Sequence, residues 1–181
     1  MVRAALLVLL LAAAPAAAQD AQGDAAMAAG GFYTAWLTPP RSSGIPAPAM
    51  RARLAPLLST RLSQLMAQAA AADARFRAAN RFAPSLLEGD LFSSLLDGPA
   101  GFRVGACTGT ATAQRCRIQF QRPVEPKAAG PTRPADWSDD LLLVFEAGRW
   151  KVDDVDYRGG FPYGNTGLLS QTLMMLIRSA S

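Results

Sequence analysis

Residues 150–157 read W-K-V-D-D-V-D-Y and constrain the fold more tightly than any other stretch of this chain. Side chains alternate across a strand with period two, so Trp150 and Val152 share one face while Val155 and Tyr157 share the other. The apolar register therefore changes at Asp153–Asp154. Such a strand is either buried on both faces or interrupted by a bulge at the aspartates. A bulge re-aims the side chains beside it, so the pair marks either a pocket rim or the place where a last strand bends.

The first residues carry an export pattern. Arg3 precedes an apolar run from Ala4 to Ala14, and Ala16-Ala17-Ala18 supplies small residues before Gln19. The run is shorter than the roughly 20 residues a membrane span needs. The expectation is a signal peptide over 1–18 and a single periplasmic or secreted domain over 19–181, with no transmembrane segment after cleavage. The formal net charge of +4 is mild and mostly arginine, since Lys127 and Lys151 are the only lysines. It reads as ordinary solubility charge.

The chain has no histidine. That excludes Ser-His-Asp and Cys-His nucleophilic arrangements and histidine-ligated metals, and leaves any acid–base chemistry to carboxylates, tyrosine or lysine. Cys107 and Cys116 cannot complete a four-ligand zinc site, and in an exported chain they are expected to form a disulfide. A two-residue turn at Ala111-Thr112 sets them opposite each other. Phe102, Val104 and Ala106 lie on the face opposite Cys107, whereas Ile118 and Phe120 share the face of Cys116, so in a regular ladder this pairing would set one strand's apolar face against the other's polar face. A bulge at Gly105 resolves the conflict.

Along the chain, Asp24 is expected to cap a first helix ending near Leu37 before Pro39-Pro40, and a short helix follows over Met50 to Leu58. The strongest helical pattern runs from Ser59 to Asn80, alanine-rich enough to approach a sheet closely. Arg75, Arg77 and Arg81 complement its dipole at the C-terminal end. Residues from Leu86 to Gly98 read as partly helical or turn-like. Strands fit Phe102–Cys107, Arg115–Arg122, Asp140–Glu146 and Arg149–Tyr157, with a proline-rich connection over Pro123–Asp136 and a last helix over Leu168–Ile177. Helices followed by hairpin-linked strands predict an α+β fold: N-terminal helices packed on a curved antiparallel sheet, cone-like, with an extra C-terminal helix. A long helix on that sheet would bury Phe102, Ile118, Phe120, Leu142, Val144, Trp150 and Val152 and leave a cavity suited to a small ligand.

Three helical segments followed by strands ending in W-K-V-D-D-V-D-Y resemble the nuclear-transport-factor-two-like superfamily, a cystatin-like cone. Together with E-G-D-L-F-S-S-L at Glu88–Leu95, the closing strand resembles secreted bacterial members of unknown function, domain of unknown function 3828. The resemblance covers about Gly30 to Arg178 and implies the cone. It implies no particular activity, because the superfamily includes isomerases, dehydratases, scaffolds and immunity proteins. Its enzymes often use an Asp–His or Tyr–Asp arrangement, and the first is ruled out here by the missing histidine.

Glu88, Asp90, Asp153 and Asp154 are the carboxylates that could meet at a cone rim, and Asp97 lies close by in sequence. With Tyr157 as a hydroxyl donor and Trp137 at the pocket mouth, they form the candidate ligand-binding set. Two carboxylates about 5–10 Å apart suffice for glycoside hydrolysis. The alternative for each is structural: capping a turn, or bonding backbone amides and arginines. No catalytic residue, metal site or cofactor is expected. The expectation is an exported, non-catalytic binding or interaction module for an unidentified small ligand or protein partner, not nucleic acid, with homodimerisation left open. The alternatives are a histidine-free carboxylate-based hydrolase or isomerase, and an immunity or inhibitor protein.

Overall fold

The computed structural model describes residues 16–41, 43–122 and 137–179. Most of the expected signal peptide and the proline-rich connection lie outside the described residues. The elements in chain order are α1 (Ala16–Leu37), α2 (Pro48–Leu54), a 3-10 turn (Ala55–Leu57), α3 (Thr60–Ala79), β1 (Gly101–Gly109), β2 (Ala113–Gln121), β3 (Trp137–Glu146), β4 (Arg149–Tyr157), β5 (Gly167–Leu168) and α4 (Leu169–Ser179). The strands form one open, curved antiparallel sheet in the order β1-β2-β3-β4-β5, an α+β fold with an extra C-terminal helix. Among the described residues, no helix is long and apolar enough to cross a membrane.

Both expected bulges are present. Val104 pairs with Ile118 and Cys107 with Cys116, so Gly105 and Ala106 together oppose Arg117. Asp154 pairs with Leu142 and Val152 with Leu143, so Asp153 is the extra residue of β4. The second bulge brings Trp150, Val152, Val155 and Tyr157 into the buried core despite their broken alternation. The first lets Cys107 and Cys116 meet as a disulfide on the core side of the sheet. Thr110 N–H donates to Ala113 O across the Ala111-Thr112 turn at 2.7 Å.

Several expectations are corrected. Asp24 caps nothing, because the alanine-rich run carries α1 back to Ala16. The short helix ends as a 3-10 turn through Pro56, and Gly167–Leu168 is a short strand before α4. Residues 86–98 form bends and turns without a helix. The helix lying across the sheet is α1, whereas α3 packs on α4 and on β4. The aromatic side of α1 explains the exchange. Phe32, Tyr33 and Trp36 are fully buried and start a chain of ring contacts through Phe92 and Phe120 to Trp137 and Phe161, with centroids 4.7–5.4 Å apart. On β3 the core takes Leu141 and Leu143, while Leu142 and Val144 are only half-buried on the opposite face. The run L-L-L-V has no alternation from which a face could be chosen. Phe102 is half-buried at the β1 edge, and Ile118, Phe120, Trp150 and Val152 are buried as expected.

The Cys107–Cys116 bridge closes a loop short enough that its removal is expected to cost about 2–3 kcal/mol. Chemical unfolding of a Cys107→Ala/Cys116→Ala variant measures this, and unchanged stability would contradict a structural bridge. Alkylation of the unreduced protein should label neither thiol.

Candidate functional site

The space between α1 and the β3–β4 end of the sheet, where a ligand cavity is expected, holds the chain's own residues 90–94. Asp90, Leu91, Phe92, Ser93 and Ser94 are all buried, although they form no helix or strand. Buried backbone without a ladder must find other partners. Tyr33 hydroxyl donates to Phe92 O at 2.8 Å and Tyr157 hydroxyl to Leu91 O at 2.6 Å. Asn165 Nδ2 donates to Asp90 O and Ser93 O, and its backbone N–H to Ser94 O. Asp139, fully buried on β3, accepts from Ser94 N–H and Ser94 Oγ and from Arg158 N–H. Gly159 and Gly164 let the following loop close on this segment, since a Cβ on either would lie within 2.7 Å of Ser94.

Tyr157 is thus a donor, but to the chain itself. Burial, and then the charges of Asp90, Asp154 and Asp139, push its hydroxyl well above the ordinary tyrosine value. Tyr33 is raised in the same way, first by burial and then by Asp139 and Asp90. Both remain protonated donors at neutral pH.

Asp153 and Asp154 serve two helices. Asp153 accepts from Ser59 Oγ at 2.6 Å and from Arg61 at 2.7 Å, and Ser59 Oγ in turn accepts Leu62 N–H as the cap of α3. Burial raises the Asp153 carboxyl, but hydrogen bonds from Arg61 and Ser59 outweigh it and hold the group below the usual value. Asp154 Oδ1 accepts Ser170 N–H in the first turn of α4 at 2.9 Å and its own neighbour Val155 N–H at 2.9 Å. One bulge therefore holds the start of α3 and the start of α4.

Asp90 faces a different place. It is 6% exposed and lines an open cleft of about 770 Å³ with Arg41, Glu88 and Asp97. Its oxygens accept Trp36 Nε1 at 2.9 Å and Phe92 N–H at 2.7 Å. Burial dominates these bonds and raises its pKa to about 6. Glu88 and Asp97 are exposed at the cleft. The structure thus brings Glu88, Asp90 and Asp97 to one cleft and commits Asp153 and Asp154 to the helix starts. Trp137 is buried between Phe120 and Phe161 and also borders a shallow depression on the sheet.

Sequence reasoning missed Asp139, Ser94, Asn165 and Tyr33. The signal for Asp139 lay in W-S-D-D-L-L-L, where period-two counting back from Leu141 places it on the core face. It also missed the arginines of the sheet's other face, where Arg115, Arg117 and Arg158 share Asp140 and Asp156. No protein-family model, curated protein or solved structure matches this chain.

Two predictions follow from these partners. Asp154→Ala leaves buried N–H groups unpaired and is expected to lower stability by about 2–3 kcal/mol, against about 1 kcal/mol for Asp153→Ala, whose partner Arg61 is exposed. Urea unfolding compares the two, and equal losses would contradict the assignment. For Asp90, the folded value of about 6 lies above the ordinary 3.8, so folding favours the protonated form. The resulting stabilisation is complete below about pH 4 and is lost as pH rises through 6, roughly 3 kcal/mol in all. The pH dependence of unfolding free energy for wild type minus Asp90→Asn should show this fall, and a flat difference would refute the raised value.

Proposed function

We propose that this chain is an exported, non-catalytic interaction module whose working surface is the outside of the fold. One observation carries the reading: residues 90–94 fill the interior that a cone would otherwise offer a ligand. Two of the candidate carboxylates are engaged elsewhere, Asp153 on Arg61 and Ser59 and Asp154 on the start of α4. Tyr157, which a Tyr–Asp arrangement of the nuclear-transport-factor-two-like kind would need, is bonded to Leu91. Export rests on the N-terminal pattern and is supported by the disulfide, a bond that persists in oxidising compartments. A protein partner fits this reading better than an enclosed small molecule, and an immunity or inhibitor protein is one form of it.

A carboxylate-based hydrolase is the second reading. Asp90 favours it, because a carboxyl near 6 in a cleft with Glu88 and Asp97 suits a general acid. It stays second because both Asp90 oxygens are held by Phe92 N–H and Trp36 Nε1.

Native mass spectrometry of the protein purified from its own host's envelope separates the two. A complex with a second protein, and no small molecule retained, is the expected result. A small molecule bound at one per chain and displaced by Asp90→Asn would overturn the module reading.

A further inference from the structure

The sheet has one face under α1 and another across which no helix lies among the described residues. On the second face Arg117 pairs across to Asp140 and Asp140 to Asp156, while Gln119 pairs to Ser138. Three arginines converge on the two carboxylates. Arg115 reaches Asp156 at 2.7 Å and Asp140 at 3.1 Å, Arg117 reaches Asp140 at 2.7 Å, and Arg158 reaches Asp156 at 2.6 Å. The arrangement is layered. The carboxylates lie at the base, 4% and 16% exposed, and the guanidinium side chains lie above them, 43–54% exposed. Solvent therefore meets the cations, and each guanidinium has donors beyond the bonds it makes below.

The surface around them has relief. A depression of about 380 Å³ runs beside Arg115 and Arg117, walled on the other side by the small residues of the Gly105–Ala106 bulge. A second, of about 300 Å³, runs beside Arg103. Gln119 borders both, so the two lie side by side along β2 as a grooved surface. Arg103 makes no ion pair among the described residues and adds a further cation to the groove.

We propose that this groove docks a carboxylate-rich segment of a partner protein. The proposal deepens the interaction-module reading and rests on it. Arginine forks match carboxylates in pairs, and Arg115 and Arg117 hold the carboxylates below through one nitrogen each, Nη1 and Nε, which leaves further guanidinium donors for a second carboxylate. A dense phosphate polymer fits less well. Asp140 and Asp156 neutralise much of the positive charge from below, whereas nucleic-acid binding draws its strength from many uncompensated phosphate contacts. Stacking side chains also do not alternate with the arginines, as they do in single-strand binders.

The test uses a fluorescein-labelled polyglutamate peptide with the full chain, followed by anisotropy and by amide shifts in NMR. The peptide should bind with an affinity that falls as salt is added, and should shift amides of residues 103–108 and 115–121. Arg103→Glu, which breaks no ion pair among the described residues, should weaken binding about tenfold, and adding Arg117→Ala should weaken it further. Arg75→Ala/Arg81→Ala, on α3 and just beyond it, should leave it unchanged. Absent shifts in the groove, equal loss on the α3-side variant, or tighter binding of single-stranded DNA at the same residues would each overturn the proposal. An envelope partner that stays bound to Arg103→Glu/Arg117→Ala would overturn this groove while leaving the module reading intact.

Discussion

Residues 90–94 impose the constraint on which the rest of the structure depends: they carry backbone that belongs to no helix or strand into the buried interior. A buried peptide group left unpaired costs as much as a lost hydrogen bond, so the segment recruits partners from four other parts of the fold. Tyr33 comes from α1, Asp139 from β3, Tyr157 from β4 and Asn165 from the loop before β5. These recruits explain three otherwise separate features. A carboxylate sits fully buried on the core face of β3, two tyrosines are held protonated, and the concave side of the sheet contains protein where a ligand would be expected.

The same economy of partners governs β4. Its inserted residue lets two neighbouring carboxylates serve two helices: Asp154 accepts an N–H in the first turn of α4 directly, and Asp153 holds Ser59, whose Oγ accepts Leu62 N–H at the start of α3. Leu58 bridges to Val152 on that side and β5 pairs with Asp156 and Tyr157, so the strand's outer edge is occupied on both sides of the bulge. Among the described residues this leaves β1 as the open edge of the sheet, and it carries a bulge of its own, a common protection against strand-to-strand association.

What could be read from sequence follows the strength of local signals. Both bulges were legible because they are conflicts of register, and a period-two conflict has few resolutions. Ser59 and Asn80 were legible as the ends of α3 because capping chemistry is local, and the structure places them as its caps. The partners of residues 90–94 were not legible, because Tyr33 and Asn165 lie 59 and 75 residues from the groups they bond. Which helix covers the sheet was hidden for a similar reason: the alanine-rich pattern of α3 is periodic, whereas the decisive aromatics of α1 gain their value only against Phe92 and Phe120. The face of L-L-L-V was undetermined because every position is apolar.

Asn165 also bears on the order in which the molecule can be completed. The sheet is a meander of neighbouring strands, and its hairpins can pair as soon as their residues are available. The interior cannot. Asp90 O, Ser93 O and Ser94 O all wait for one residue that comes after the four long strands, and Leu91 O waits for Tyr157 at the end of β4. Until the chain reaches Asn165, residues 90–94 keep open carbonyls that favour water over burial. The native interior is therefore complete only when segments from most of the chain's length are in place together.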